Sequence, residues 1–277
     1  MTPDQYCQQQ AAASGSSFYY SFRFLDAPRR RAITALYAFC REVDDVVDEC
    51  ADAGVARLKL TWWRGEVAAL YGGHPSHPVT QALAPALSRF DLRQELMLEI
   101  IAGMAMDLDQ ARYPDFAALE RYCYRVASAV GLLAARIFGH EDPGTLDYAH
   151  DLGLALQLTN IIRDVGEDAR RGRIYIPQDE LEQFGVPEGE ILQGQTSSRF
   201  VALMAFQAER ARQYYARALA RLPAVDRRRQ RPGLIMAAIY RAILEEIAAD
   251  GYRVLDRRLS LPALRKLWIA IHTWLWP

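Results

Sequence analysis

Hydrophobic residues recur every three or four positions along almost the whole chain, and the period-two alternation of half-buried strands is nearly absent. Side chains at that interval share one face of an α-helix. The pattern predicts helices over 29–50, 54–71, 76–88, 91–109, 115–138, 144–170, 197–221, 231–257 and 261–275. Turn-forming clusters separate several of them: Gly72-Gly73-His74-Pro75, Asp142-Pro143-Gly144 and Pro187-Glu188-Gly189. Residues 172–177, Gly-Arg-Ile-Tyr-Ile-Pro, lean towards extended structure and predict an ordered loop closing the helix at 144–170. The expected fold class is all-α, an orthogonal helical bundle around a central cavity.

Two of these helices carry charge where the apolar pattern leaves little room for it. Tyr37, Arg41, Asp44 and Asp48 fall near one stripe, with Asp45 beside it, flanked by Ala35, Leu36, Ala38, Phe39, Val43, Val46 and Val47. Gln157, Asn160, Asp164 and Asp168 fall among Leu152, Leu154, Leu156, Leu158, Ile161 and Ile162. Four-residue spacing stacks carboxylates one turn above the next, which is unfavourable unless a cation lies between them. Unpaired charge in apolar surroundings is expensive. Two such helices facing one another would hold hard cations, Mg²⁺ above all with Mn²⁺ as an alternative, and the cations would hold a diphosphate. The candidate metal ligands are Asp44, Asp48, Asn160, Asp164 and Asp168, and Arg41 adds a bidentate donor for phosphate oxygens. For the first helix taken alone, a solvated face laced with ion pairs is the competing reading. The strict Asn/Asp spacing of the second helix weighs against it. Arg163, Arg170, Arg171 and Arg173 follow and serve either phosphate or solvent.

With 277 residues, 51% of them hydrophobic, the chain can bury one large core, so a single domain over 1–277 is expected. A net charge of −1 offers no footprint for nucleic acid. Cys7, Cys40, Cys50 and Cys123 form no Cys-x-x-Cys pair and read as reduced thiols of a cytoplasmic protein. The N-terminus lacks the basic and apolar regions of a signal peptide, and no uninterrupted apolar run is long enough to span a membrane. His74 and His77 sit in a Gly/Pro turn and read as loop rather than metal ligands. Residues 226–231, Asp-Arg-Arg-Arg-Gln-Arg, read as an exposed connection. The tail, 261–277, is amphipathic, with Trp268, Trp274 and Trp276 beside Arg265 and Lys266. Packing on the domain and peripheral contact with the inner face of a membrane are both open for it.

The segments Arg-Glu-Val-Asp-Asp-Val-Val-Asp at 41–48 and Leu-Gln-Leu-Thr-Asn-Ile-Ile-Arg-Asp-Val-Gly-Glu-Asp at 156–168, running on to Pro177, closely resemble the squalene/phytoene synthase family. The resemblance extends from Ser14 to about Arg258. It implies the class I isoprenoid synthase fold and the head-to-head joining of two prenyl diphosphates with Mg²⁺ held by the two acidic helices. Residues 12–22 and 29–45 look most like the bacterial presqualene diphosphate synthases of hopanoid biosynthesis. That implies two farnesyl diphosphates as substrates, presqualene diphosphate as product, no NADPH, and downstream hopanoid-pathway enzymes as partners. Phytoene synthases, which use two geranylgeranyl diphosphates, share the second acidic motif, and full squalene or dehydrosqualene synthases are further alternatives. By the same resemblance Asp44, Asp48, Asp164, Asp168, Tyr37 and Arg41 are the catalytic set. Ser17, Phe18, Phe22, Tyr37, Arg41, Tyr122, Ala127, Val130, Gly131, Gln157, Asn160, Tyr240 and Arg257 would bind substrate. Ordinary core aromatics at Phe18 and Phe22, close helix packing at Ala127 and Gly131, and a solvated helix end at 256–258 are the competing readings.

Overall fold

A computed structural model describes residues 1–13, 22, 25–50 and 52–276. Among the described residues thirteen α-helices and one π-helical turn account for the regular structure, and the sole extended pairing is one bridge between Arg112 and Ile174. In chain order the helices are α1 (Pro3–Ala13), α2 (Ala27–Asp48), α3 (Ala53–Tyr71), α4 (Pro78–Arg89), α5 (Gln94–Asp109), α6 (Phe116–Cys123) and α7 (Ala129–Phe138). They continue as α8 (Gly144–Arg170), α9 (Gln178–Gln183), α10 (Glu188–Leu192), α11 (Ser198–Arg221), α12 (Arg231–Ala249) and α13 (Ala263–Leu275). The all-α expectation holds.

The two acidic helices occupy different halves of the core. In α2, Asp26 caps the N-terminus by accepting from the Arg29 amide, and Pro28 lies in the first turn. Its apolar face, including Ile33, Leu36, Phe39 and Val43, packs into a cluster with α3, α4 and α5. The 27-residue α8 is the axis of the other half and packs against α7, α11 and α12. Between them, α6 and α7 form one continuous rod interrupted by a π-turn at Tyr124–Ser128. Within it Ser128 Oγ donates to the His150 carbonyl of α8 at 2.8 Å. The rod and α8 touch backbone to backbone: a Cβ on Gly153 would lie 2.5 Å from Ser128 Cα, and one on Gly131 would lie 2.8 Å from the Ala149 carbonyl oxygen. No larger residue fits at either position.

Several elements differ from expectation. Helix α1 went unpredicted because its Gln-rich sequence buries only a narrow stripe, with Cys7 and Ala11 nearly inaccessible. A reciprocal capping box sets its start: Gln5 N donates to Thr2 Oγ1 at 3.3 Å and Thr2 N to Gln5 Oε1 at 2.9 Å. The short α9 and α10 also lay in sequence read as loop. The helix expected to reach 257 ends at Ala249, because Gly251 and Tyr252 adopt left-handed conformations (φ 70° and 57°) that an α-helix cannot continue through. The expected exposed connection at 226–231 is partly interior. Asp226 is inaccessible and accepts from the Glu141 and Asp142 amides and the Thr145 hydroxyl, while Gln230 donates to the Ala135 and Gly139 carbonyls.

Candidate active site

The end of α2 and the end of α8 bring their carboxylates to one cleft. Arg171 Nη1, just past α8, lies 2.9 Å from Asp48 Oδ1 of α2, and Arg173 Nη1 lies 3.5 Å from the same oxygen. Other guanidinium groups cover the neighbouring acids. Arg41 pairs with Asp44 at 2.8 Å and also with Asp45. Arg163 grips Asp164 with two bonds, at 2.8 and 2.6 Å, and Arg258 adds a third at 2.8 Å. These fork-shaped donors match carboxylate and phosphate oxygens equally well. Asp168 differs, since its carboxylate has no hydrogen bond or ion pair among the described residues.

Protonation follows this pattern. Burial, reinforced by Asp48, pushes the Asp44 carboxyl up to about 6. Burial, reinforced by Asp164, pushes Asp168 up to about 7. Burial also raises Asp164, but the Arg163 and Arg258 guanidiniums more than offset it and hold that carboxyl below the usual range. Added positive charge in the cleft would therefore favour the ionised forms of Asp44 and Asp168.

A further acid lies close to them. Asp107, near the end of α5, accepts from Tyr175 Oη at 2.7 Å and Tyr122 Oη at 3.0 Å. Burial raises its pKa, and Asp107 in turn raises Asp44 and Asp168. The expectation that Tyr122 lines the prenyl cavity is corrected: its ring stacks with Tyr175 at 5.1 Å, on the floor of the acidic cleft. The sequence signal was a lone Asp in the apolar run Met104-Ala-Met-Asp-Leu, together with the tyrosine of the loop at 172–177.

From this cleft an apolar cavity runs inward between α2, α7, α8 and α12. Phe22, Tyr37, Ala127, Val130, Gly131, Gln157, Asn160 and Tyr240, all named above as candidate substrate-binding residues, line it. Phe22 meets Tyr37 edge to face at 6.5 Å, and Arg163 lies over the Tyr240 ring at 6.0 Å. Gly131 satisfies both readings offered for it, lining the cavity and permitting the close approach of α8. Ser17 and Phe18 lie outside the described residues. Arg257 does not enter the cleft: it pairs with Asp250, and its neighbour Arg258 is the residue that reaches Asp164. The early end of α12 turns the expected side chain away and the next one in.

The donor set fits a hard cation. Asn160 Oδ1 is buried with no hydrogen-bond partner, while its amide nitrogen donates to Gln157 at 3.3 Å. A buried amide oxygen without a donor, and an unpaired carboxylate at Asp168 two turns along the same helix, are each costly unless positive charge reaches them. Among the described residues no three acidic, imidazole or thiol groups close into a ready-made cage.

An all-helical bundle with two acidic helices at the mouth of an apolar cavity defines the isoprenoid synthase class, and solved structures of that class superpose closely. One is a dehydrosqualene synthase in complex with ligand, with a TM-score of 0.89, 28% identity, and coverage of 98% of this chain and 95% of that one. Another is squalene synthase HpnC from Alicyclobacillus acidocaldarius, with a TM-score of 0.81, 27% identity, and coverage of 90% and 94%. The chain belongs to the squalene/phytoene synthase family, whose model matches residues 11–265. Among curated relatives, a phytoene synthase of Arthrospira platensis is 37% identical over 94% of this chain and 89% of its own length. A 15-cis-phytoene synthase of Synechococcus elongatus is 38% identical over 94% and 89%. The chain is accordingly a prenyltransferase of the kind that condenses prenyl diphosphates head to head.

Proposed function

We propose that this enzyme joins two farnesyl diphosphates into presqualene diphosphate, stops there without NADPH, and serves hopanoid synthesis. The observation that carries the chemistry is the orphaned Asn160 oxygen lining an apolar cavity, with the unpaired Asp168 carboxylate two turns further along the same helix. The farnesyl assignment rests on the resemblance of residues 12–22 and 29–45. The phytoene synthase relatives favour a second reading, in which two geranylgeranyl diphosphates give phytoene.

Asp44, Asp48, Asn160, Asp164 and Asp168 would hold Mg²⁺, and Mn²⁺ would suit the same oxygen donors. When bound, the cation supplies positive charge that stabilises the departing diphosphate. The protein supplies the rest. Arg41, Arg163, Arg171, Arg173 and Arg258 can pass from carboxylate to phosphate oxygens, because each already lies on an acid of the cleft. Fixed guanidinium charge at a developing anion lowers the barrier without reorganisation. The donor's C1–O bond breaks, and diphosphate leaves with the electron pair. The allylic cation is held in a dry cavity between the aromatic faces of Phe22, Tyr37 and Tyr240. The acceptor's C2–C3 double bond attacks C1, and loss of one proton closes the cyclopropane. The products balance as presqualene diphosphate, diphosphate and a proton.

The tail suits the same reading. Helix α13 packs by Ala270 and Trp274 yet exposes Leu264, Trp268, Ile271, Leu275 and Trp276 beside Arg265 and Lys266. Among the described residues no helix is long and apolar enough to cross a membrane. An apolar strip of this kind with basic neighbours would rest on an anionic lipid surface.

The test is product identification. Purified enzyme is given farnesyl or geranylgeranyl diphosphate with Mg²⁺, with and without NADPH, and the lipid is read by mass spectrometry. Presqualene diphosphate from farnesyl diphosphate, unchanged by NADPH, is expected. Phytoene from geranylgeranyl diphosphate with no coupling of farnesyl diphosphate would refute the farnesyl assignment, and squalene formed with NADPH would refute the stopping point.

A further inference from the structure

The cavity closes at the end remote from the carboxylates. Ile33 of α2, Phe138 at the end of α7, Tyr148 in the first turns of α8 and Gln230 ahead of α12 form that end. At ~1.5 Å of rise per residue, Tyr148 lies about 18 Å along α8 from Asn160, and Ile33 about 16 Å along α2 from Asp44. The end is braced rather than loose. Gln230, 1% exposed, donates to the Ala135 and Gly139 carbonyls at 3.1 and 2.9 Å. Arg29 Nε donates to the Phe138 carbonyl at 3.2 Å.

Tyr148 is the unusual member. It is 1% exposed, and its hydroxyl finds no hydrogen-bond partner among the described residues. A buried unsatisfied hydroxyl costs roughly 1–3 kcal/mol, a cost that phenylalanine would avoid. The oxygen sits against Gly233 of α12, where a Cβ would lie only 2.7 Å from it. The tyrosine therefore spans the whole gap from α8 to α12, and Gly233 is what makes room for it. Phe138 closes the adjoining gap, from α7.

We propose that Phe138 and Tyr148 are the chain-length stop of this enzyme. Their side chains set the longest prenyl group that can be seated while its diphosphate stays on the acidic helices. The inference rests on the reading that prenyl diphosphates bind with the diphosphate in the cleft and the chain in this cavity. It applies whichever prenyl length the wild-type enzyme prefers. One added isoprene unit must displace a packed ring, whereas truncating that ring opens room for it.

The experiment compares kcat/KM for farnesyl, geranylgeranyl and geranylfarnesyl diphosphates in the wild type, Phe138→Ala, Tyr148→Ala and Tyr148→Phe. Each truncation to alanine should shift the preference towards the chain one isoprene unit longer by at least ~10-fold, the discrimination expected of even one methylene in a tight apolar pocket. Tyr148→Phe, which keeps the ring, should hold the wild-type preference within about twofold, well under that one-methylene effect. Unchanged preferences in folded, active alanine variants would overturn the proposal. So would a Tyr148→Phe shift as large as that of Tyr148→Ala. Should an alanine variant fail to fold, as judged by thermal unfolding, Phe138→Leu and Tyr148→Leu are read by the same criterion. A wild-type preference for geranylgeranyl diphosphate would refute the farnesyl assignment alone. The ratio of geranylfarnesyl to geranylgeranyl turnover in the variants would still decide the stop.

Discussion

Asp226 and Asp168 are carboxylates in apolar helical surroundings, and they are held in opposite ways. Asp226 accepts from two backbone amides, the Thr145 hydroxyl and Arg229. Burial pushes its pKa up, but the Thr145 hydroxyl and the amides more than offset this and hold it below the usual range. Glu66 is treated likewise, by the His77 and Ser76 amides and the Ser76 and Thr80 hydroxyls. Burial works against it, yet those donors bring it down to about 2. Asp168 has no such donors, faces Asp164 and Asp107, and stays near 7. A fold that can satisfy one interior carboxylate completely and leaves another bare has kept the second for something it does not itself supply. On the proposed function, the satisfied acids are struts and the bare one is the binding group.

The largest effects should separate these two roles cleanly. Asp168→Asn should lower kcat/KM by about 100-fold to 1000-fold, as loss of a principal electrostatic group does, while thermal stability holds or rises because like-charge repulsion is relieved. Asp226→Ala should do the reverse, costing about 3–5 kcal/mol of stability by stranding its donors, with kcat of the folded enzyme little changed. Steady-state kinetics and thermal unfolding on both variants measure the split. Equal loss of activity and stability in both would erase the distinction.

Next in size is the pH dependence. The folded values of Asp44 and Asp168, about 6 and about 7, lie above the ~4 of an unfolded carboxylate. A raised value means a stabilising contribution that is full below pH ~4 and lost as pH climbs through 6 to 7. Glu66 has the opposite sign: its contribution is present at neutral pH and lost only as pH falls towards 2. The metal-free protein should therefore show an unfolding midpoint that falls between pH 5 and 8, and Asp168→Asn should flatten that slope. Added Mg²⁺ should raise the midpoint more at pH 8 than at pH 5.5, since binding requires deprotonated carboxylates. A midpoint independent of pH would mean that the acids of the cleft are compensated in some other way.

The smallest expected contrast lies between adjacent arginines. Arg258→Ala should weaken substrate binding several-fold, about 1 kcal/mol, the upper range for a half-exposed charge pair. Arg257→Ala, which loses only its exposed pairing with Asp250, should leave KM nearly unchanged. Reversed effects would place Arg257 in the cleft after all.

How far the site was legible in the sequence follows from how local each feature is. The acidic stripes at 37–48 and 157–168 could be read because helical spacing alone stacks their members. Tyr37, Gln157 and Asn160, which line the cavity, lie on those same stripes, and their assignment to substrate came from the resemblance. Asp107 could not be read, because a single acid becomes a cleft residue only when the Tyr122 and Tyr175 hydroxyls arrive from elsewhere in the chain. The expectation at Arg257 rested on resemblance and on a helix that periodicity carried through Gly251; the helix ends at Ala249, and Arg258 is the residue that reaches Asp164. Nothing in the sequence singles out Tyr148, and only its contact with Gly233, eighty-five residues away, makes it a wall. Helix α1 escaped notice because glutamines hide a two-residue apolar stripe.

The central claim is that the bare carboxylates exist to hold a cation that in turn holds a diphosphate. Calorimetric titration of inorganic pyrophosphate into the wild type and Asp168→Asn, each with and without Mg²⁺, tests it without reference to turnover. The account predicts tight binding to the wild type only when Mg²⁺ is present, and at least a ~10-fold loss of that affinity in Asp168→Asn, about 1.4 kcal/mol. Equal affinity with and without Mg²⁺, carried by the arginines alone and indifferent to Asp168, would contradict it.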